Sequence, residues 1–280
     1  RIEKHVAEHL DTVEAAGEPA DLVELLAKPL PLLVICELLG IPSSEQAEFR
    51  RLNGFRLDSS ATPQEQIAAA GQCRAQITSL IVHQRAHPGD GLIGRLLRQH
   101  GAELDNSAML GIVDLMLLAG YESTSSMISL GTLLLLANPD KRDLVMDDST
   151  VDDAIEEMLR YLSVGHGTLP RVVRKDVVLS DTRISAGSVV LCSLPAANRD
   201  PDVVVRPDVL DMTRKQNPHL AFGHGARRCF GAPLARVEMV SAYQGLFRRF
   251  PALRLAVPMD DVEFQTATTA YGVVSLPVSW

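Results

Sequence analysis

No cysteine in this chain stands near another. Cys36, Cys73, Cys192 and Cys229 lie far apart without a CxxC pair, which argues against a zinc ribbon or a disulfide framework and fits a reducing compartment. Positive charge is in deficit, with 27 Lys and Arg against 35 Asp and Glu, a formal charge of -8 and a pI near 5.5. Nucleic-acid binders carry a basic footprint, so no nucleic acid is expected as a partner. Long apolar runs are missing too. The most membrane-like stretch, residues 112–137, is broken by Asp114, Glu122 and the hydroxyls of residues 123–126, and no basic start precedes an apolar signal segment. No membrane span is expected, and the expected localisation is cytoplasmic. Internal repeats and low-complexity linkers are also absent. Aromatic residues make up only 4%, yet 46% of the 280 residues are hydrophobic, enough to bury a substantial core. Arg1 already stands inside a helical pattern, so the chain reads as part of something longer.

What is present is mostly helical periodicity. Ile2, Val6, Leu10 and Val13 mark a first helix over 1–16, stopped by Gly17-Glu18-Pro19. An apolar pattern over 21–39 is interrupted by Pro29 and Pro31, and a turn at 40–44 opens a third helix ending near Asn53. Helices over 64–87 and 92–100 follow, then one long helix over 106–136. Thr150 is expected to cap the next helix, with Asp153 completing a capping box ahead of Ile155, Met158 and Leu159. Beyond Leu162 the period becomes strand-like, with short β-branched runs at 171–173, 177–179, 182–184 and 188–192. A meander over 197–218 leads to a glycine-rich segment, a last helix over 232–249 and strands around 253–257 and 272–276. The fold class is α+β and mostly helical. One domain is expected over 1–280, with 1–162 helical and 163–280 holding strands, meander, cysteine loop and final helix.

The segment FGHGARRCFGAPLAR, residues 222–236, gathers chemistry around one sulfur. Gly223, Gly225 and Gly231 allow positive-φ turns and let backbone lie against a flat ligand. Pro233 is placed to open a helix, and helix amino termini favour anions, which suits a sulfur acting as thiolate. A lone Cys229 in such a loop, with no second Cys or His at metal-site spacing, suits the axial ligand of a haem iron. A single cysteine before a helix is more often a small buried apolar residue, and the glycine frame with the motifs below reverses those odds.

Three further groups bear on chemistry. Ala119-Gly120-Tyr121-Glu122-Ser123-Thr124 sets small residues beside an acid and an alcohol, which lets a planar cofactor approach. It also loosens the helix, since glycine and hydroxyls that bond back to the preceding turn distort helices. Glu157 and Arg160 share a helix face and can pair; if buried, they need further hydrogen bonds to offset desolvation. Arg171 and Arg227 are guanidinium forks suited to carboxylates such as haem propionates. Arg214, Lys215, Arg227, Arg228 and Arg236 form a local basic group that would suit an acidic docking protein. His83, His87, His100, His166 and His219 have no ligand spacing and read as ordinary residues.

AGYEST at 119–124, EMLRY at 157–161, PRVVRKDVVL at 170–179 and FGHGARRCFG at 222–231 together resemble the bacterial soluble class of the cytochrome P450 family, in order along the whole chain. The resemblance implies a triangular, mostly helical haem-thiolate fold holding haem b, with Cys229 as iron ligand and Phe222, Gly223 and Gly231 around it. It implies that Glu157 and Arg160 brace the cysteine loop, that Arg171 and Arg227 meet the propionates, and that Ala119 and Gly120 lie over the distal haem face. Glu122, Ser123 and Thr124 occupy the proton-delivering region. The implied activity is monooxygenation of a small apolar organic substrate, giving a hydroxylated or epoxidised product, with electrons from NAD(P)H through a ferredoxin reductase and a ferredoxin. The pocket is expected around Leu118, Tyr121, 164–169 and 268–273.

The sequence departs from the family pattern in four places. Ser123 stands where Thr is usual, which implies a looser proton relay and more peroxide per NADPH. Arg227 stands where His is common. Val209 holds the meander position where Arg or His often joins the Glu-Arg pair, so Arg160 is expected to find backbone partners. The amino-terminal part of the family's fold is absent, so one side of the pocket should be open. Two other readings remain: a truncated non-catalytic remnant that binds haem poorly or not at all, and a peroxygenase or haem sensor.

Overall fold

Prolines and glycines set the helix boundaries, and a computed structural model of the chain describes all residues except 58–60, 166–169, 216 and 266–269. The elements run α1 (Ile2–Ala16), β1 (Ala20–Asp21), a π-helical turn (Val23–Ala27), α2 (Pro29–Leu39), α3 (Ser43–Leu57), α4 (Pro63–Ala86) and α5 (Leu92–His100). After these come α6 (Asn106–Ala119), α7 (Glu122–Ala137), α8 (Arg142–Met146), α9 (Val151–Leu162), β2 (Arg171–Val172), β3 (Val177–Leu179), β4 (Thr182–Ile184) and β5 (Val189–Val190). The chain closes with α10 (Leu194–Ala197), α11 (Ala232–Arg249), β6 (Arg254–Leu255), β7 (Phe264–Gln265), β8 (Gly272–Val273) and β9 (Pro277–Ser279). Pro63 sits in the first turn of α4 behind a full capping box, in which Thr62 Oγ1 accepts from the Glu65 amide and the Glu65 side chain accepts from the Thr62 amide. Gly40, at φ 81°, ends α2 in the left-handed conformation, its amide donating to Cys36 and Glu37 carbonyls.

The strands are all paired antiparallel: β1-β9-β6 form one sheet, and β2-β5, β3-β4 and β7-β8 are two-stranded. Buried side chains gather in two clusters. One joins α1, α7, α9 and α11 through residues such as Val6, Leu10, Leu133, Ile155, Met239 and Leu246. The other joins α2 to α6 through Ile35, Phe49, Ile77, Ile93 and Val113. Among the described residues, no helix is long and apolar enough to cross a membrane.

Three sequence expectations are corrected here. The long helix over 106–136 is two helices, broken at Gly120-Tyr121, where the Ala119 carbonyl accepts from Ser123 Oγ at 3.2 Å; a hydroxyl bonding back to the preceding turn, next to a glycine, explains the break. Thr150 precedes α9 but makes no capping bond, because its Oγ1 donates to the Leu144 carbonyl at 2.7 Å instead. β1, β7 and β9 are additional to the expected strands: they have two or three residues and, unlike β3 and β4, no β-branched runs about a turn to mark them.

α7 and α11 cross at Gly131, where an added Cβ would lie 2.0 Å from Tyr243 Oη. The Tyr243 hydroxyl donates to the Met127 carbonyl and so is satisfied in the core. Glu238, on the same helix and 2% exposed, is not satisfied: its Oε2 has no partner among the described residues. Burial pushes this carboxyl up to about 8, so the folded state keeps the proton longer than the unfolded chain does. Ionisation of Glu238 therefore costs no stability at pH below its unfolded value near 4.5, and stability is lost as pH rises toward 8. Glu238→Gln should gain on the wild type by on the order of 3–5 kcal/mol between pH 5 and pH 9, read as a widening difference in Tm. A difference that stays constant with pH would show that Glu238 ionises freely in the folded protein.

Candidate active site

The segment before the last helix folds tightly on its own backbone. The Gly223 amide donates to the Leu220 carbonyl at 2.8 Å, Arg228 to Gly225 at 3.0 Å, and the Cys229 amide returns to the Phe222 carbonyl at 2.9 Å. Gly223 and Gly225 take φ of 69° and 77°, a backbone that L residues rarely adopt, and a Cβ on either meets nothing within 4 Å. These two glycines are therefore required by conformation. Gly231 differs from the expectation, with φ of -79° as the residue before α11; a Cβ there would lie 3.8 Å from Cys229 Sγ. The loop presents Cys229 exposed, while Cys36 and Cys73 are buried, and burial pushes the Cys36 thiol up to about 12.

Behind the loop stands a buried ion pair. Glu157 and Arg160 on α9 are both fully buried, and Arg160 Nε and Nη2 donate to the two Glu157 oxygens at 2.8 Å each. Arg160 Nη1 donates to the carbonyls of Asn198 and Pro207 at 2.9 and 2.8 Å, and Nη2 to that of Val209 at 3.3 Å. All five guanidinium N–H groups are thereby used. Glu157 also accepts from the Asp211 amide, Asn217 Nδ2 and Arg214 Nε at 2.9, 3.0 and 3.2 Å. Val209 thus serves Arg160 through its backbone, and the cation joining the pair from the meander is Arg214. Asn198, fully buried as well, carries the linkage on: Oδ1 accepts from the Leu220 amide at 2.6 Å, just before the cysteine loop, and Nδ2 donates to Ser163 Oγ at 2.8 Å.

The expected basic patch is largely neutralised. Arg214 pairs with Glu157, Lys215 with Asp153 at 2.6 Å and Arg236 with Glu156 at 2.5 Å. Arg227 and Arg228 remain exposed on the loop. His219, expected to be ordinary, has a side chain only 5% exposed, with its Nε2 3.0 Å from Glu156 Oε2. Burial alone would raise the Glu156 carboxyl, but hydrogen bonds from Arg236 and His219 hold it at about 2.

On α6 and α7, Leu115, Leu118, Ala119 and Ser123 recur at helical spacing and are all exposed, while Thr124 is buried and Glu122 half-buried. Tyr121, named with Leu118 for the pocket, packs inside the second core cluster, where burial pushes its hydroxyl up to about 12. β8 lies against α7, with Gly272 beside Ser126 Oγ. Residues 166–169 and 268–269 of the expected pocket, and His166, lie outside the described residues. Among the described residues no cluster of three His, Cys, Asp or Glu offers a site for a bare metal ion. The donor set instead fits a macrocycle bound through one sulfur: an exposed thiol, open space over Gly223 and Gly225, exposed Arg171 and Arg227 for carboxylates, and a half-apolar helical stripe.

Comparison with known proteins agrees with this geometry. The family model described as Cytochrome P450 matches residues 143–277. Over 280 residues the chain is 40% identical to cytochrome P450 165B3 of Amycolatopsis orientalis, covering all of this chain and 70% of that protein. The chain belongs to the cytochrome P450 family. It is also 39% identical to the mycinamicin IV hydroxylase/epoxidase of Micromonospora griseorubida, with 98% of this chain and 70% of that one aligned. Among solved structures, OxyB in complex with the X-domain from teicoplanin biosynthesis superposes with a TM-score of 0.96 at 42% identity, over all of this chain and 75% of that one. The mostly helical P450 fold with small sheets is therefore present, in a chain spanning about 70% of the length of its curated P450 relatives.

In P450 terms, the motif segments on α9 and before α11 are physically joined, through Arg160, Asn198 and Leu220. Glu122, Ser123 and Arg171 stand on other elements, α7 and β2. Asn198, Arg214, Glu156 and His219 were missed as site residues; the only available signal was that Glu156 adjoins Glu157 and His219 adjoins the cysteine segment. Arg160→Met would leave Glu157 buried with its charge poorly compensated and three carbonyls without donors. It should cost about 3–5 kcal/mol in urea unfolding. A loss under about 1 kcal/mol would mean that the pair contributes little to the fold.

Proposed function

We propose that this chain carries a haem-thiolate monooxygenase site that places one oxygen atom of O2 into a small apolar organic substrate, by hydroxylation or epoxidation. The observation that carries this reading is the exposed Cys229, presented by a positive-φ glycine loop and braced by a fully hydrogen-bonded buried arginine. Haem b, bound through the Cys229 thiolate, supplies the dioxygen chemistry, with the thiolate pushing electron density toward iron.

The residues around it have separable tasks. Arg171 and Arg227 hold the propionates as charge-assisted donors. Gly223 and Gly231 leave room for the macrocycle beside the sulfur, and Phe222 packs next to it. Ala119 and Gly120 keep the distal wall thin, while Leu115 and Leu118 give the substrate an apolar surface. The break before α7 matters for protons: Ser123 Oγ donates its hydrogen to the Ala119 carbonyl, and rotation about χ1 would free that hydroxyl for the relay. Glu122, in the first turn of α7, then re-supplies it from the solvent side, with Thr124 behind. Electrons come from NAD(P)H through a ferredoxin reductase and a ferredoxin. Arg228 is the exposed loop cation left to meet that acidic partner, since Arg214, Lys215 and Arg236 are engaged. The name of the Micromonospora relative supports the reaction type.

Exposed apolar side chains favour a second reading, a partial fold that binds haem poorly: Phe230, Leu115 and the β2-β5 valines Val172 and Val189 all stand exposed. One experiment separates the two. The chain is supplied with haem, reduced with dithionite and exposed to carbon monoxide. A strongly red-shifted Soret band in the wild type that vanishes in Cys229→Ser is the expected result; absence of haem, or a carbonyl band of neutral ligation in the wild type, would favour the partial fold.

A further inference from the structure

Three elements converge on Phe222. Arg236 on α11 forms a two-pronged pair with Glu156 on α9, Nε to Oε1 at 2.5 Å and Nη2 to Oε2 at 2.8 Å. Its guanidinium carbon lies 4.6 Å from the centroid of the Phe222 ring. The His219 ring, three residues earlier in the chain, sits 6.2 Å from the same ring. Because the Ala221 amide donates to His219 Nδ1 at 3.2 Å, the imidazole proton must stand on Nε2, which donates to Glu156 Oε2. Both side chains of the ion pair are about 30% exposed, and they are 80 residues apart in sequence. A fork held on both prongs and stacked on a ring is ordered in a way that a solvated arginine is not.

The Phe222 carbonyl receives the Cys229 amide. We propose that Glu156 and Arg236, with His219, clamp the Phe222 ring and through it fix the position of Cys229, so that they are positioning residues for the sulfur. Arg236 thereby serves the loop from within, not a docking protein from outside. The inference rests on the P450 reading for what the sulfur does, but the clamp itself is tested without haem.

Amide hydrogen exchange is followed across the full chain by mass spectrometry, in wild type, Glu156→Gln, Arg236→Lys and Phe222→Leu. Arg236→Lys keeps the charge and loses the fork and the stack. Hydrogen bonds to charged groups contribute enough that each variant should exchange about tenfold or more faster over 220–230, with α4 and the β3-β4 hairpin unchanged. Phe222→Leu combined with Arg236→Lys should exchange no faster than either alone, because both remove one device. Wild-type exchange of the loop in Arg236→Lys and Glu156→Gln overturns the clamp. Additive effects in the double variant overturn it as well, and so does acceleration spread evenly over the chain, which would make the pair a general brace. The carbon monoxide spectrum of the wild type judges the haem reading separately: a neutral-ligand band beside localised, non-additive exchange would reject that reading and leave the clamp standing.

Discussion

The Arg160 guanidinium is the point on which the rest of this molecule depends. A fully buried cation is unfavourable unless its charge is paired and every donor is satisfied. Here one carboxylate takes two of the five N–H groups, and the remaining three go to carbonyls of the meander. The meander has few apolar anchors of its own, so these bonds, with those from Asp211, Asn217 and Arg214 to Glu157, set its course. An irregular segment is thereby ordered by polar contacts from one helix turn. Such an arrangement is weak evidence for net stability, but it specifies one path of the chain over others.

From that node the structure passes order to the sulfur by two routes. Asn198 relays it through its side-chain oxygen to the Leu220 amide at the entrance to the loop. Glu156, the neighbour of Glu157 on α9, relays it through Arg236 to the Phe222 ring. Adjacent residues of one helix thus serve a buried and a half-buried network, one ending at Leu220, just before the cysteine loop, and the other at Phe222, where it begins. The loop's own contribution is conformational, through left-handed turns at Gly223 and Gly225. What emerges is a thiol that is exposed yet held by its surroundings, which is what a macrocycle-bound metal requires.

Much of this was legible in the sequence, for reasons particular to each part. α1, α4, α5 and α11 have ends within about a residue of those read from periodicity, because proline, glycine and repeated apolar positions coincide there. The hairpin strands β3 and β4 were legible because β-branched runs flank a turn. β1 was not, since pairing to a distant partner, Ala20 with Val278, makes it a strand and local pattern does not, and β7 and β9 are too short to show alternation. The break before α7 was foreseen as distortion but not as two helices. In the site, Cys229, Glu157 and Arg160 were legible as motif residues. Asn198 and Arg214, which bond Arg160 and Glu157, and His219, which bonds Glu156, were not, because these bonds span 38 to 63 residues of sequence. The basic cluster misled for the same reason: sequence shows cations, but only the fold shows that Asp153, Glu156 and Glu157 lie against three of them.

The central claim is that this braced loop presents Cys229 as a metal ligand. X-ray absorption at the iron edge of the haem-loaded chain tests it most directly. The account predicts a sulfur bound to iron in the wild type and its replacement by a lighter atom in Cys229→Ser. An iron coordinated only by nitrogen and oxygen in the wild type would contradict it.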